Sequence, residues 1–337
     1  MSQILGLIIL SFFISFILLI PFIDFLYKIK MKRQKQSTRD IFDKRTPIFD
    51  KLNSWKAGTP FGGGILIVVV TSILTLWAYG LFSIEIDPWK TFVLLFSFIG
   101  FGLLGLYDDA KKLVSGKKAF FGLRFRHKVL IQVLLACIIS FIFVKFLGFD
   151  FVNIRGIGAL DIGPLYFVFA AFVIISFVNA FNITDGLDGL AAGLFLICMS
   201  AFLVITQGIS GLDKSLGVFI AILMGCVGAF LYFNIFRARL WLGDTGSMAL
   251  GAALAVTGLL TGKIPALAII GGVFVLEVGS SLIQILSKKF LHKKLYAASP
   301  LHLYLQYRGW EEPKVVMRAW LLGFFFAIVG LYIAFIR

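Results

Sequence analysis

Carboxylates occur in this chain where an apolar neighbourhood makes them costly, and they come in groups. Tyr107-Asp108-Asp109 ends one apolar run and opens a basic stretch holding Lys111, Lys112, Arg124 and Lys128. Adjacent acids at a helix C-terminus are opposed by each other and by the helix dipole, so a cation or a proton-transfer role is needed to offset them. The second group is Asn179-Ala-Phe-Asn182-Ile-Thr-Asp185-Gly-Leu-Asp188-Gly-Leu, between two apolar runs with almost no loop. In a helical reading Asn182, Asp185 and Asp188 recur at i, i+3, i+6 and form one polar edge. Capping of the following helix accounts for Asp185 but not for the whole edge. The third group is Asn234 followed by Trp241-Leu-Gly-Asp244-Thr-Gly-Ser247. Asp244 suits an N-cap, and the glycines on either side also let backbone and ligand approach it closely. The fourth group, Glu277, Ser280, Ser281 and Gln284, falls at i, i+3, i+4, i+7 on one face inside an apolar run. A midspan charge costs about 2.5–3.5 kcal/mol on the lenient insertion scale, so Glu277 must face the protein interior, in an interhelix hydrogen bond or in catalysis.

Acids converging with lysines at one surface are what a divalent cation and a polyphosphate substrate need. Magnesium takes carboxylate and phosphate oxygens, uses one or two protein ligands, and keeps water or substrate in its other positions. The sequence has no Gly-x-x-x-x-Gly-Lys-Ser/Thr loop, which excludes a P-loop nucleotidase. Lys56-Ala-Gly58-Thr-Pro60-Phe-Gly62-Gly63-Gly64 is a different object, a permissive turn entering an apolar run and a weak signal by itself.

The elements that position these groups must be membrane helices. Of 337 residues 60% are hydrophobic and 15% charged, and the mean hydropathy is +0.98, beyond what a soluble domain carries. A span takes about 20 apolar residues. Ten runs of that kind lie near 3–27, 61–83, 91–107, 129–147, 163–181, 187–206, 215–234, 245–262, 265–287 and 317–336. The sequence therefore predicts an all-α integral membrane protein of about ten transmembrane helices, a single polytopic domain over 1–337. The first run is too long for a signal peptide and leads directly into a basic segment with no small-residue cleavage site, so it is expected to remain as a helix.

Ten spans place both termini on one side. Segments 28–60, 108–128, 235–244 and 288–318 hold 10, 7, 2 and 7 Lys or Arg residues, against Lys90, Lys145, Arg155, Lys214, Lys263 and Arg337 on the other side. The positive-inside rule makes the first set cytosolic and both termini extracytoplasmic. The cytosolic loops near 28–60, 108–128, 182–188, 235–244 and 288–316 then place the candidate active site at the cytosolic face. The net charge of +15 is a topology signal, so no nucleic-acid partner is expected. Cys137, Cys198 and Cys226 sit singly in apolar runs, which supports neither a disulfide framework nor a zinc site.

Read in order, the polar stretches resemble one family. They are KAGTP with GG at 56–63, the acid pair at 108–109, GL with Lys128 and Gln132, NITDGLDGL at 182–190, GDTGS at 243–247, Glu277 with Gln284, and PLH with GWEEPKVV at 300–316. On these the chain is identified as similar to the phospho-N-acetylmuramoyl-pentapeptide transferases of the polyprenyl-phosphate N-acetylhexosamine-1-phosphate transferase superfamily. KAGTP and GWEEPKVV favour that branch over the N-acetylglucosamine branch. The resemblance implies a bacterial plasma-membrane enzyme of peptidoglycan synthesis. Its reaction would be Mg²⁺-dependent transfer of phospho-MurNAc-pentapeptide from UDP-MurNAc-pentapeptide to undecaprenyl phosphate within the lipid bilayer, giving lipid I and UMP. Two other readings stay open. One is a sister enzyme transferring GlcNAc-1-phosphate from UDP-GlcNAc. The other is a transporter using midspan Glu277, although no internal repeat is visible and the acids cluster at one face. Oligomeric state is left open, a homodimer included.

The resemblance also implies residue roles. Asp244 is the expected Mg²⁺ ligand, and Asp108 or Asp109 would deprotonate or orient the lipid phosphate or help hold the metal. Asn182, Asp185, Asp188 and Asn234 would bind the nucleotide-sugar, with Trp241 where the family stacks an aromatic ring on uracil. Lys56, Lys112 and Lys128 match phosphate-binding positions, and His302 matches a catalytic one. Direct attack by the lipid phosphate and a covalent aspartyl intermediate are both chemically allowed. The chain departs from the family at 302–304, where three histidines are replaced by His302-Leu303-Tyr304. It departs again at Phe61-Gly62, where Thr-Met is usual, and in a longer basic segment over 28–56. Leu303 can neither donate a hydrogen bond nor ligate a metal, whereas Tyr304 keeps a donor.

Overall fold

The computed structural model describes residues 2–32, 45–82, 87–114, 125–154, 158–208 and 214–336. Arg124 and Arg155 lie outside the described residues, as do parts of the basic loops expected over 28–60 and 108–128. The helices are α1 (Ser2–Lys28), α2 (Pro47–Asn53), α3 (Gly63–Leu81), α4 (Pro88–Val114), α5 (Phe125–Lys145), α6 (Leu165–Thr184), α7 (Leu190–Gly208), α8 (Lys214–Asn234), α9 (Gly243–Leu260), α10 (Ile264–Ile270), α11 (Gly272–Leu286), α12 (Leu301–Tyr307) and α13 (Glu312–Phe335). Prolines 47, 88, 265 and 313 fall at or beside helix starts, where a missing N–H costs nothing.

All ten apolar runs are helical. Among the described residues eight helices are long and apolar enough to cross a membrane: α1, α3 to α8 and α13. The run expected over 265–287 is broken at Gly271-Gly272, and α10 meets the helix that follows at 75°. The rings of Phe177 and Phe326 pack where side chains at those two glycines would stand, so a neighbouring helix fills each notch. The run at 245–262 is α9, and every residue from Thr245 to Leu260 is buried. It packs against α3, α4 and α6 and has no outward face, which is why its 18 residues need less apolarity than an exposed span.

The all-α expectation needs one correction. The connection before α6 holds an antiparallel pair, β1 (Phe151–Ile154) and β2 (Gly158–Asp161), in the register Phe151 to Asp161 and Ile154 to Gly158. Four-residue strands in a long extramembrane connection satisfy their backbone groups locally, and they leave no apolar run to betray them.

Close helix approach fixes α9. A Cβ on Gly64 would fall on the backbone of Gly246, and one on Gly105 would fall on the carbonyl of Asp244. The segment before α3 lies alongside the segment before α9. Trp241 N–H donates to Pro60 O (2.9 Å), Gly62 and Gly63 N–H to Trp241 O (3.0 and 2.9 Å), and Gly64 N–H to Leu242 O (2.9 Å). The glycine-rich turn at 56–64 is thus the seat of the Trp241–Ser247 stretch.

Candidate active site

The C-terminal ends of α4, α6 and α8 and the N-terminal ends of α7 and α9 meet at one end of the bundle around a cavity of about 350 Å³. Eight of the residues expected from sequence line it: Asp109, Lys112, Asn182, Asp185, Asp188, Asn234, Trp241 and Asp244. Asp108 and Lys128 adjoin it through Asp244, while Lys56 and His302 are buried behind its wall. Phe49 and Phe61 also line it, and no polar pattern marks either of them in the sequence.

Asp244 is the centre. Its Oδ2 receives the ammonium groups of Lys112 (2.7 Å) and Lys128 (3.1 Å), and its Oδ1 receives Asn182 Nδ2 (3.1 Å), which also donates to Ser247 Oγ (2.7 Å). The same two lysines approach Asp108 Oδ2, at 3.2 Å and 3.4 Å. Asp109 behaves differently. Its Oδ1 accepts Asp244 N–H (3.1 Å), and its Oδ2 accepts Thr245 N–H (3.0 Å) and the Thr245 hydroxyl (2.9 Å). Asp109 therefore caps α9 from α4, satisfying first-turn N–H groups that have no partner within the helix. Gly243 begins α9 with φ +76°, and a Cβ there would stand 2.8 Å from Asp109 Oδ2. The small residue lets the cap close.

A second buried network forms the wall around Trp241. Asp188 Oδ1 accepts Trp241 Nε1–H (3.2 Å) and its Oδ2 accepts Ala238 N–H (3.0 Å). Lys56 Nζ lies 3.1 Å from Asp188 Oδ1 and is paired with Glu312, so the expected phosphate lysine points into this network instead of lining the cavity. Asn234 is taken up by backbone, accepting Gly189 N–H (3.0 Å) and donating to Leu240 O (2.9 Å), so it ties α7 to the turn after α8. His302 Nδ1 lies 3.0 Å from Glu277 Oε2, and Glu277 Oε1 also accepts His302 N–H (3.2 Å). The other ring edge of His302 packs on Gly186. Glu277 thus makes the interhelix contact expected of a buried acid, and it aims His302 at the 182–190 stretch. Gln284 closes the same face by accepting Leu295 and Tyr296 N–H (3.1 and 3.0 Å). Asn179 donates to Gln132 (3.0 Å) and joins α6 to α5. Enclosure by protein, with the carboxylates of Asp244, Asp188 and Asp109 nearby and Lys56 opposing, pushes the Asp185 carboxyl up to about 7.

Comparisons with known proteins give the family. The family model described as Glycosyl transferase family 4 matches residues 91–262, which carry Asp108, Asp109, Asp185, Asp188 and Asp244. The phospho-N-acetylmuramoyl-pentapeptide-transferase of Geobacillus sp. (strain WCH70) is 38% identical over 330 residues, covering 97% of this chain and 96% of that protein. The chain belongs to this family. Proteins of the same name from Caldanaerobacter subterraneus subsp. tengcongensis and Bacillus subtilis (strain 168) are 39% and 36% identical over 283 and 284 residues, covering 83% and 84% of this chain and 84% and 86% of theirs. With bacterial relatives and multiple apolar helices, this phospho-N-acetylmuramoyl-pentapeptide-transferase family member is a multi-pass plasma-membrane transferase.

The donor set suits a hard cation of the magnesium kind. Among the described residues no three His, Cys, Asp or Glu side chains form a ready cage. Magnesium needs none, since one or two carboxylates with water and substrate phosphates suffice. Asp108, Asp109 and Asp244 share two ammonium groups, Lys112 and Lys128, which leaves one negative charge for a further cation to balance.

Proposed function

We propose that this protein transfers phospho-MurNAc-pentapeptide from UDP-MurNAc-pentapeptide to undecaprenyl phosphate, giving undecaprenyl-diphospho-MurNAc-pentapeptide (lipid I) and UMP. The observation that carries this reading is one cavity that joins a carboxylate for a cation, Asp244, an ammonium for phosphate, Lys112, and an indole for uracil, Trp241. Its position at the end of an apolar bundle gives a polyprenyl tail access from the bilayer. The bundle is read as ten crossings, with α9 and the bent α10–α11 pair added to the eight, both termini extracytoplasmic and the cavity cytosolic.

An oxygen of the lipid phosphate attacks the sugar-bound phosphorus, and the bond from that phosphorus to the UMP oxygen breaks. Positioning and charge neutralisation do most of the work in such transfers. Asp244 would hold Mg²⁺, which when bound supplies positive charge to the diphosphate. Lys112 and Lys128 are close enough to exchange their ion pairs with Asp244 for phosphate oxygens. Asp108 is the acid assigned to orienting or deprotonating the lipid phosphate, because both oxygens of Asp109 are engaged in capping α9. Asn182 holds Asp244 in place, and Asp188 orients Trp241. Purified protein incubated with undecaprenyl phosphate, Mg²⁺ and either UDP-MurNAc-pentapeptide or UDP-GlcNAc, followed by mass analysis of the lipid, tests this assignment. A pentapeptide-bearing lipid from the first mixture alone is expected. A GlcNAc lipid instead would move the protein to the sister activity.

A further inference from the structure

Glu312 is buried and bonds to none of Asp108, Asp109, Asp244, Lys112 and Lys128, yet it meets Asp188 in the wall behind Trp241. Its Oε1 accepts the Lys56 ammonium and Asp188 N–H (2.7 Å), and its Oε2 receives Gln306 Nε2 (3.4 Å). Lys56 also reaches Gly186 O (3.4 Å). The Lys56 and Glu312 side chains are 2% and 4% exposed, so both charges are out of water. Such a pair adds little stability over apolar packing, whereas removing one partner leaves an uncompensated charge. What this pair does supply is position. Glu312 begins α13, Lys56 precedes α3, and both close on the 186–188 backbone, whose Asp188 carboxylate in turn holds Trp241 Nε1 and Ala238 N–H.

We infer that Glu312 is a positioning residue for nucleotide recognition, fixing the orientation of Trp241 through Lys56 and Asp188. This rests on the reading of the cavity as the UDP-sugar site. Without the Glu312 carboxylate, the Lys56 ammonium keeps only the Gly186 carbonyl and Asp188 Oδ1, where it competes with Trp241 Nε1–H, and the Asp188 N–H loses its acceptor. The Asp244, Lys112 and Lys128 cluster is not bonded to Glu312, so the phosphate-handling end stays in place. The defect is therefore in affinity for the uridine end.

Wild type, Glu312→Ala and Glu312→Gln are compared in steady-state kinetics with both substrates varied, and in calorimetric titration with UMP. Glu312→Ala is expected to raise the KM for UDP-MurNAc-pentapeptide and the UMP Kd by roughly tenfold or more. The KM for undecaprenyl phosphate and kcat stay within about threefold, because uniform binding is lost without loss of transition-state contacts. Glu312→Gln keeps an acceptor for Asp188 N–H and falls between the two. Unchanged UMP affinity in a folded variant overturns the inference, and so does an equal rise in both KM values with a lowered unfolding temperature. If the alanine variant does not fold, the glutamine variant decides by the same criteria. A wild type that binds UMP but turns over no UDP-MurNAc-pentapeptide would remove the proposed reaction, and the UMP comparison would still judge Glu312.

Discussion

The carboxylates of Asp108 and Asp109 are adjacent in sequence and differ in what they hold. Asp109 takes three donors from the first turn of α9, so Asp109→Asn loses charge-assisted bonds worth about 1.5–3 kcal/mol each at most and should lower the unfolding temperature along with activity. Asp108→Asn leaves those bonds intact and is expected to abolish turnover with a smaller loss of stability. Thermal unfolding measured beside UMP release separates the two. Asp185 offers a second test. Its carboxyl holds a proton up to about pH 7 in the folded chain, against an ordinary value near 3.8. Between those values the folded state binds the extra proton, so this contribution to stability is full below about pH 4 and is lost as pH rises through about 7. Unfolding temperatures without divalent cation should therefore fall from pH 5 to pH 8 more steeply in wild type than in Asp185→Asn. Parallel slopes would contradict the upward shift of this carboxyl.

At the scale of elements, the site depends on how closely α3 and α4 approach α9. Gly105→Ala would place a methyl group on the Asp244 carbonyl, and rigid backbone cannot give way as a side-chain end can. The expected cost is about 1–3 kcal/mol from overpacking, with turnover falling further because Asp244 moves. Gly80→Ala in α3 meets open space and serves as the control, expected to be neutral or slightly stabilising. The eight long apolar helices and the acid groups were legible because long apolar runs and costly charges leave a local mark in the sequence. The notch at Gly271-Gly272 was not legible, since two glycines in an apolar run look like continuous helix until Phe177 and Phe326 are packed against them. The role of the 56–64 turn was hidden because its partners, Trp241 and Leu242, lie about 180 residues along the chain. Glu312 was visible only as part of GWEEPKVV, and its contact with Lys56 spans 256 residues. The four-residue strands β1 and β2 have too few residues for a periodic signal.

For the whole molecule, the basic segments and the cavity are expected on the same side of the membrane. Lys51→Cys, beside the cavity end, and Leu160→Cys, in β2, are both exposed and should label from opposite sides of sealed vesicles. Labelling of both from one side would overturn the arrangement derived from the charge asymmetry. On the proposed reading that orientation would let a cytosolic nucleotide-sugar and a membrane lipid meet at the cluster of Asp108, Lys112 and Lys128 around Asp244. The role of Asp244 is tested most directly by following UMP release from UDP-MurNAc-pentapeptide and undecaprenyl phosphate across a Mg²⁺ titration, in wild type and in Asp244→Asn of equal unfolding temperature. Wild type should show saturable Mg²⁺ dependence abolished by chelation, and Asp244→Asn should lose at least roughly a hundredfold in turnover at every Mg²⁺ concentration. A folded Asp244→Asn protein with wild-type turnover and wild-type Mg²⁺ dependence would contradict the placement of the metal and of the reaction.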